Sequence, residues 1–223
     1  MLTVIVADAP DTDISAFRPL VDCAQLRIAA DGGARYLLAL GVRPDLVIGD
    51  LDSLPEELLA ALADQGTQIE RHPAEKEETD LELALLRAVE QGASRMIVLA
   101  ALGGRHDQHL ANLLLLAHPQ LQRREVMILD GSWEIRLISE SVEITGRPGE
   151  IVSLLPLGTA HGVTTEGLYY PLRDESLLLG PARGVSNILL GERARIIVRE
   201  GLLWLFHCRD SPAAAIELIS PDR

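Results

Sequence analysis

Val47 to Ser53 reads VIGDLDS, an apolar run that ends on two aspartates one residue apart. A strand repeats its side-chain direction every two residues, so an extended backbone here points the Asp50 and Asp52 carboxylates the same way. Like charges brought to one place repel unless a cation meets them. Oxygen-only clusters of this kind suit Mg2+, which bridges one or two carboxylates to the phosphates of a nucleotide. Other charged residues stand at comparable places: Asp31, Thr79-Asp80, and Arg105 with Asp107. The glycines of DGGAR (Asp31 to Arg35) and GGRHD (Gly103 to Asp107) let backbone approach a ligand, and each motif opens a helix whose N–H groups favour anions. Neither is a dinucleotide fingerprint or a Walker A loop.

Most of these features also have a plainer reading. Ser53 with Glu56, and Thr79 with Glu82, fit the helix capping box, and Asp80 fits dipole stabilisation of a first turn. Lys76, in the loop AEKEETD, is by default a solvated charge, although that loop could aim it at phosphates. Asp50 precedes the cap and ends an apolar strand, so the structural account leaves it unexplained.

The elements that must carry these residues fall into two halves. From Met1 to about Asp130, the strand-like runs LTVIVA, LRIAA, LVIG, QIERH, MIVLA and VMIL alternate with helical patterns such as PEELLAALADQG and TDLELALLRAVEQG. This is the pattern of a mostly parallel, Rossmann-like sheet with helices on both faces, whose ligand crevice lies beyond the carboxyl ends of its strands. Asp31 follows the second strand, Asp50 and Asp52 the third, Thr79-Asp80 the fourth, and Arg105 and Asp107 the fifth. The spacing therefore predicts one acidic crevice from residues scattered along the chain. After DGSWE the helical periods nearly vanish and strands such as EIVSLLPL, ARIIVRE and GLLWLF take over, the last two joined at Glu200-Gly201 like a hairpin. We expect an α/β domain over residues 1–130 and an all-β domain over 133–223, with the tail SPDR frayed. Within GLLWLF, alternation puts Leu202, Trp204 and Phe206 on one face, which reads as core.

The chain has 223 residues and a formal charge of −13. That charge repels nucleic acid and anionic membrane surfaces, and no block of Lys and Arg offsets it. It does not exclude a nucleotide; it predicts one bridged by metal. Cys23 and Cys208 are the only cysteines, without C-x-x-C spacing, and read as reduced buried thiols. The start MLTVIVADAP lacks a basic segment before its short apolar run, and no run reaches membrane-spanning length, so the chain reads as soluble and cytoplasmic.

With these pieces in place the sequence resembles the thiamine pyrophosphokinase (thiamine diphosphokinase) family nearly end to end. The resemblance rests on ADGGARYLLALGVRPDLVIGDLDS, KEETDLELAL and LGGRHDQHLANLLLL in the first half, and on TTEGLYYPL, GVSN and GLLW in the second. It implies an α/β catalytic domain followed by a β-sandwich domain, working as a homodimer. It also implies transfer of a diphosphoryl group from ATP to thiamine, giving AMP and thiamine diphosphate. Carried over by position, Asp50, Asp52 and Asp80 would be Mg2+ ligands with Asp31 close by. Arg105 and Lys76 would hold ATP phosphates, Thr79 would line the nucleotide site, and Asp107 and Asn112 would lie around the substrates. Ser186 and Asn187 match a polar pair on the thiamine side, and Trp204 matches an aromatic that stacks on the pyrimidine ring; Tyr169 and Tyr170 read as structural.

One departure stands out. Many family members carry Asp-His within the Gly-Gly-Arg motif, whereas this chain has Asp107-Gln108, with His106 and His109 read as helix-surface residues. We expect in-line attack by the thiamine hydroxyl on the β-phosphorus of ATP, with positioning and charge neutralisation supplying most of the acceleration, and with Asp107 or metal-polarised solvent assisting proton removal. The division of labour between the halves also predicts active sites shared between two chains, one giving the acidic sheet edge and the other Ser186, Asn187 and Trp204. The alternatives are a diphosphokinase for a pterin alcohol, a non-catalytic sensor of nucleotide or thiamine diphosphate, and a metal-dependent phosphatase built on Asp50 and Asp52.

Overall fold

The computed structural model describes residues 1–212 and Ala214, so the predicted frayed tail, Ser220 to Arg223, lies outside the described residues. The chain divides into two compact units, the first running Met1–Gly131 and the second beginning at Ser132. Together they are mixed α/β, with parallel strands first and antiparallel strands later.

The first unit contains six strands: β1 (Leu2–Val6), β2 (Leu26–Ala30), β3 (Leu46–Gly49), β4 (Gln68–Arg71), β5 (Arg95–Leu99) and β6 (Glu125–Asp130). They lie in the order β4-β3-β2-β1-β5-β6, every neighbouring pair parallel. Consecutive residues such as Val4, Ile5 and Val6, or Ile28, Ala29 and Ala30, are buried, because strands covered on both faces cannot afford alternation. Interspersed are α1 (Arg18–Cys23), α2 (Ala34–Ala39), α3 (Glu56–Asp64), α4 (Asp80–Glu90) and α5 (His106–Leu115). In α4, Leu81, Ala84, Leu85 and Ala88 form the buried stripe, and the Thr79 hydroxyl accepts from Glu82 N–H at 3.2 Å, the expected cap. The expected cap of α3 does not form: Pro55 stands at its N-cap, and the Ser53 hydroxyl instead contacts Asp52 Oδ1 at 3.3 Å. The chain steps outward from β1 to β4 and then returns to the other side of β1 as β5. Strand order reverses there, the place where open parallel sheets bind ligands beyond their carboxyl ends.

The second unit holds β7 (Trp133–Ile138), β8 (Val142–Thr145), β9 (Ile151–Glu166), β10 (Glu175–Leu178), β11 (Asn187–Ile188), β12 (Arg193–Ile197) and β13 (Glu200–Cys208). The order is β7-β13-β9-β12-β8, all antiparallel, with β10 and β11 also paired to β9. The expected hairpin between ARIIVRE and GLLWLF is absent. Arg195 in β12 already faces Glu143 on one edge and Glu166 on the other, so β13 finds no edge there and pairs with β7 and an earlier stretch of β9. The expected core role of Trp204 is also corrected. Leu202, Trp204 and Phe206 do share a face, but Leu203 and Leu205 on the opposite face enter the core with Val152, Leu154 and Ile196, leaving Trp204 half-buried. Among the described residues, no helix is long and apolar enough to cross a membrane.

Candidate active site

A crevice of about 300 Å³ opens along the carboxyl ends of the parallel strands. Asp8 reaches it from the end of β1, Asp31 from β2, Asp50 from β3, Lys76, Thr79 and Asp80 from the approach to α4, and Gln108 and Asn112 from α5. All eight of these side chains are ionised or hydrogen-bonding groups, contributed by five separate stretches of the chain, and only backbone topology brings them together.

The acidic centre is tighter than the crevice. Oxygens of Asp31, Asp50 and Asp52 all lie within 4.8 Å of one another, close enough to share one cation. Strand alternation is not what unites Asp50 and Asp52. Leu51 between them has φ of +64° and is buried, so the chain turns through a left-handed conformation instead of staying extended. Asp50 Oδ1 accepts from Asp52 N–H at 3.3 Å and closes this turn. Asp31, at φ of +45°, is a second residue in this conformation, and Ala100 at +52° directly follows β5 on the same edge. Three non-glycine residues held at positive φ on one sheet edge carry a conformational cost that the surrounding fold must impose. Asp31 is 9% exposed and its Oδ1 is buried without a hydrogen-bond partner. A buried carboxylate oxygen left bare is costly unless something outside the chain meets it, so the donor set fits a hard divalent cation such as Mg2+.

Asp80 sits beside the trio. A Cβ on Gly49, whose φ is +151°, would lie 3.1 Å from Asp80 Cγ and 3.2 Å from Asp31 Cβ, so glycine ends β3 where two carboxylates close over it. Lys76 is not the freely solvated charge of the default reading: its ammonium stands 3.0 Å from Asp80 Oδ1, donates to Pro73 O at 3.2 Å, and its side chain is 12% exposed. Thr79 both caps α4 and lines the crevice. The Asn112 amide is anchored on Ala101 O at 2.8 Å, and Gln108, one helical turn earlier, lines the same wall.

Arg105 and Asp107 form a separate pair. Arg105 Nη2 stands 2.6 Å from Asp107 Oδ2, both side chains are about two-thirds exposed, and neither lines the crevice. The Arg105 guanidinium, with the Gln108 N–H, lowers the Asp107 carboxyl to about 2. His106 is exposed and His109 half-buried, as expected of a helix surface. In the second unit, Asn187 is buried and fastened to Tyr170 by two hydrogen bonds, N–H to Oδ1 at 2.9 Å and Nδ2–H to Tyr170 O at 2.7 Å. Ser186, at φ of +59°, donates its N–H to Ser153 Oγ at 2.9 Å. The Trp204 indole N–H is buried without a partner among the described residues. Tyr169 and Tyr170 meet edge to face, centroids 4.8 Å apart, with both rings mostly exposed.

Sequence reasoning passed over Asp8, Arg35 and the crevice position of Gln108. Asp8 closes the first apolar run much as Asp31 and Asp50 close theirs, and that shared position was the available signal.

Comparison with known proteins adds independent findings. The family model described as thiamin pyrophosphokinase, catalytic domain, matches residues 17–128, and that described as thiamin pyrophosphokinase, vitamin B1 binding domain, matches residues 138–203. A thiamine pyrophosphokinase of Bacillus subtilis is 28% identical over 217 residues, covering 92% of this chain and 98% of the relative. Thiamine pyrophosphokinase 1 of Arabidopsis thaliana is 29% identical, covering 84% of this chain and 80% of the relative. The crystal structure of the Bacillus subtilis enzyme superposes with a TM-score of 0.85 at 27% identity, over 94% of this chain and all of that one.

Proposed function

From the premise that the chain belongs to the thiamin pyrophosphokinase family, we propose that its carboxylate crevice moves the diphosphoryl group of ATP onto the hydroxyl of thiamine, giving thiamine diphosphate and AMP. It is thus a transferase of the thiamine pyrophosphokinase class, and neither the pterin nor the sensor reading is favoured. The observation that carries the assignment of the crevice is the Asp31, Asp50 and Asp52 trio with one oxygen buried and unanswered. In this reading residues 1–130 are a Rossmann-like catalytic domain for ATP and Mg2+, and residues 133–223 a β-sandwich domain for thiamine.

Diphosphoryl transfer asks little covalent chemistry of a protein; it asks for placement and charge neutralisation. Asp50, Asp52 and Asp80, with Asp31, would hold Mg2+, which supplies a Lewis acid for the phosphate oxygens when bound. Lys76, poised on Asp80, offers its ammonium to phosphate, and Thr79 and Asn112 line the nucleotide's path. Arg105 lends a planar fork that suits phosphate, once it exchanges Asp107 for the ligand. Asp107 restrains Arg105 until the phosphate takes its place, and the released carboxylate or solvent then takes the hydroxyl proton. On the thiamine side, Trp204 offers a half-buried ring for stacking, while Ser186 and Asn187 shape the polar turn beside it.

The second unit exposes Tyr169, Tyr170, Leu178, Leu179 and Leu190, apolar side chains that a homodimer would cover. Each site is then shared, one protomer giving the acidic edge and its partner Ser186, Asn187 and Trp204. We place the enzyme in the cytoplasm, where ATP is at hand and the free thiols Cys23 and Cys208 stay reduced. Incubation with ATP, Mg2+ and thiamine tests the reaction: AMP and thiamine diphosphate in equal amounts are expected, while free phosphate without thiamine dependence would indicate a phosphatase. Mixing inactive Asp80→Ala and Trp204→Ala under subunit exchange tests sharing: activity should return, because one mixed site carries both lesions and the other none. Verified exchange without recovery, given folded and inactive parents, contradicts the shared site.

A further inference from the structure

The carboxylates that line the crevice include one with no role so far. Asp8 sits at the end of β1, beside the strand-order reversal. Both its oxygens lie 2.8 Å from Nη2 of Arg35, in the first turn of α2. The other guanidinium nitrogen, Nη1, donates to the carbonyl of Ser53 at 3.3 Å, directly after Asp52, and the Tyr36 hydroxyl donates to Ala9 O at 2.5 Å. The Asp8–Arg35 pair runs across Gly32, where a Cβ would lie 2.3 Å from Asp8 Oδ2 and 2.7 Å from Arg35 Nη2. Any side chain at residue 32 would therefore displace the pair, so the glycine next to Asp31 makes room for an ion pair as well as for a ligand.

The charge balance gives this pair a purpose. Asp8, Asp31, Asp50 and Asp80 line the crevice, Asp52 adjoins them, and Lys76 is the one cation among the lining residues described. An anionic nucleotide must enter a site that is already strongly negative. An unpaired Asp8 would add another like charge facing the incoming phosphates.

We propose that Arg35 is a positioning residue that neutralises Asp8 and ties the loop after β1 to the loop carrying Asp50 and Asp52, so that a metal-bound nucleoside triphosphate can enter the acidic crevice. The inference rests on the reading of that crevice as the ATP site. Arg35 acts through Asp8 and the Ser53 carbonyl, without itself lining the crevice. The guanidinium's fork satisfies both anchors at once, which a lysine ammonium cannot reproduce with the same geometry.

The proposal makes a sign-specific prediction for a double-mutant cycle. Binding of Mg2+ with α,β-methylene-ATP, which resists diphosphoryl transfer, is measured calorimetrically for the wild type, Arg35→Ala, Asp8→Ala and the double variant. Arg35→Ala leaves Asp8 charged and unanswered, and should weaken binding about tenfold, the scale on which one nearby like charge acts. Removing Asp8 as well should restore much of that loss, leaving the double variant clearly tighter than Arg35→Ala. A double variant no tighter than Arg35→Ala overturns the proposal, since Arg35 would then act independently of Asp8. Absence of binding by the wild type overturns the ATP reading of the crevice, and the pair's role with it. Should Arg35→Ala unfold, the same comparison is made with Arg35→Gln alone and with Asp8→Asn, and recovery is again required.

Discussion

Glu134 and Glu150 in the second unit are buried as deeply as Asp31 in the first, yet their oxygens are met from within the chain. Arg209 donates to Glu134 Oε2 from Nε at 2.8 Å and from Nη2 at 2.5 Å, and sends Nη1 to Thr145 O at 2.8 Å. Arg136 stands 2.9 Å from the other Glu134 oxygen. Glu150 takes His207 Nε2 at 2.7 Å and the Asp210 N–H at 3.2 Å. In the first unit, Asp31 keeps Oδ1 without a hydrogen-bond partner among the described residues, and oxygens of Asp31, Asp50 and Asp52 gather within 4.8 Å of one another. Buried carboxylates that serve the fold are answered by the fold, because breaking such a set strands a charge in low dielectric. The proposed reading gives the open ones to a ligand, with backbone strain at Asp31 and Leu51 holding them in place.

The largest test of this contrast is to break the answered side. Glu134→Leu removes one partner of Arg209 and should cost about 3–5 kcal/mol of unfolding free energy, read by urea titration. A loss below about 1 kcal/mol, no more than an exposed pair gives, would erase the distinction. The open side should respond in the opposite sense. Asp50→Asn or Asp52→Asn should lower turnover more than about a hundredfold, beyond what outer partners of a metal site cost, while the melting temperature holds or rises as repulsion is relieved. Near-normal activity at limiting Mg2+ would remove the metal assignment.

Acid sharpens the comparison further. Burial first, then the charge of Arg209, holds His207 below its ordinary value against the pull of Glu134 and Glu150. The unfolded chain therefore takes up that proton first, and stability falls as pH drops through about 6.5, by at most about 1.4 kcal/mol per pH unit for one group. Burial alone would raise Glu134, but Arg136 and Arg209 outweigh it and hold it low. Its contribution is present above the unfolded value and disappears as pH falls toward the folded one. Urea unfolding at pH 7.5 and 5.5 should show the decline, and His207→Gln should flatten it over that range. The smallest expected effect concerns Arg105, which the fold does not need because its pair with Asp107 is exposed. Arg105→Lys should leave the melting temperature unchanged and lower activity roughly tenfold, through loss of the phosphate fork. Unchanged turnover and unchanged KM for ATP would make Arg105 part of the surface only.

The parallel strands and the strand-edge placement of Asp31, Asp50 and Asp80 were legible because apolar runs and helical periods are local signals. What was not legible depended on contacts distant in sequence. Leu51 gives no hint of its left-handed turn, since leucine rarely adopts one unless tertiary packing enforces it. The missing hairpin at Glu200-Gly201 and the outward face of Trp204 both follow from β9, whose 16 residues pair with β13 and β12 in succession. No local pattern announces that division. Asp8 stood in plain view at the end of β1, but its pair with Arg35 spans 27 positions and only the fold brings it together.

Direct metal binding tests the central claim that the open carboxylates await a cation. Mn2+ titrated into the wild type in the presence of α,β-methylene-ATP, and followed by electron paramagnetic resonance, should give a saturable bound signal. Asp50→Asn should lose it, while Glu134→Gln, held at a temperature where it stays folded, should keep it. A bound signal in Asp50→Asn equal to that of the wild type would contradict the account.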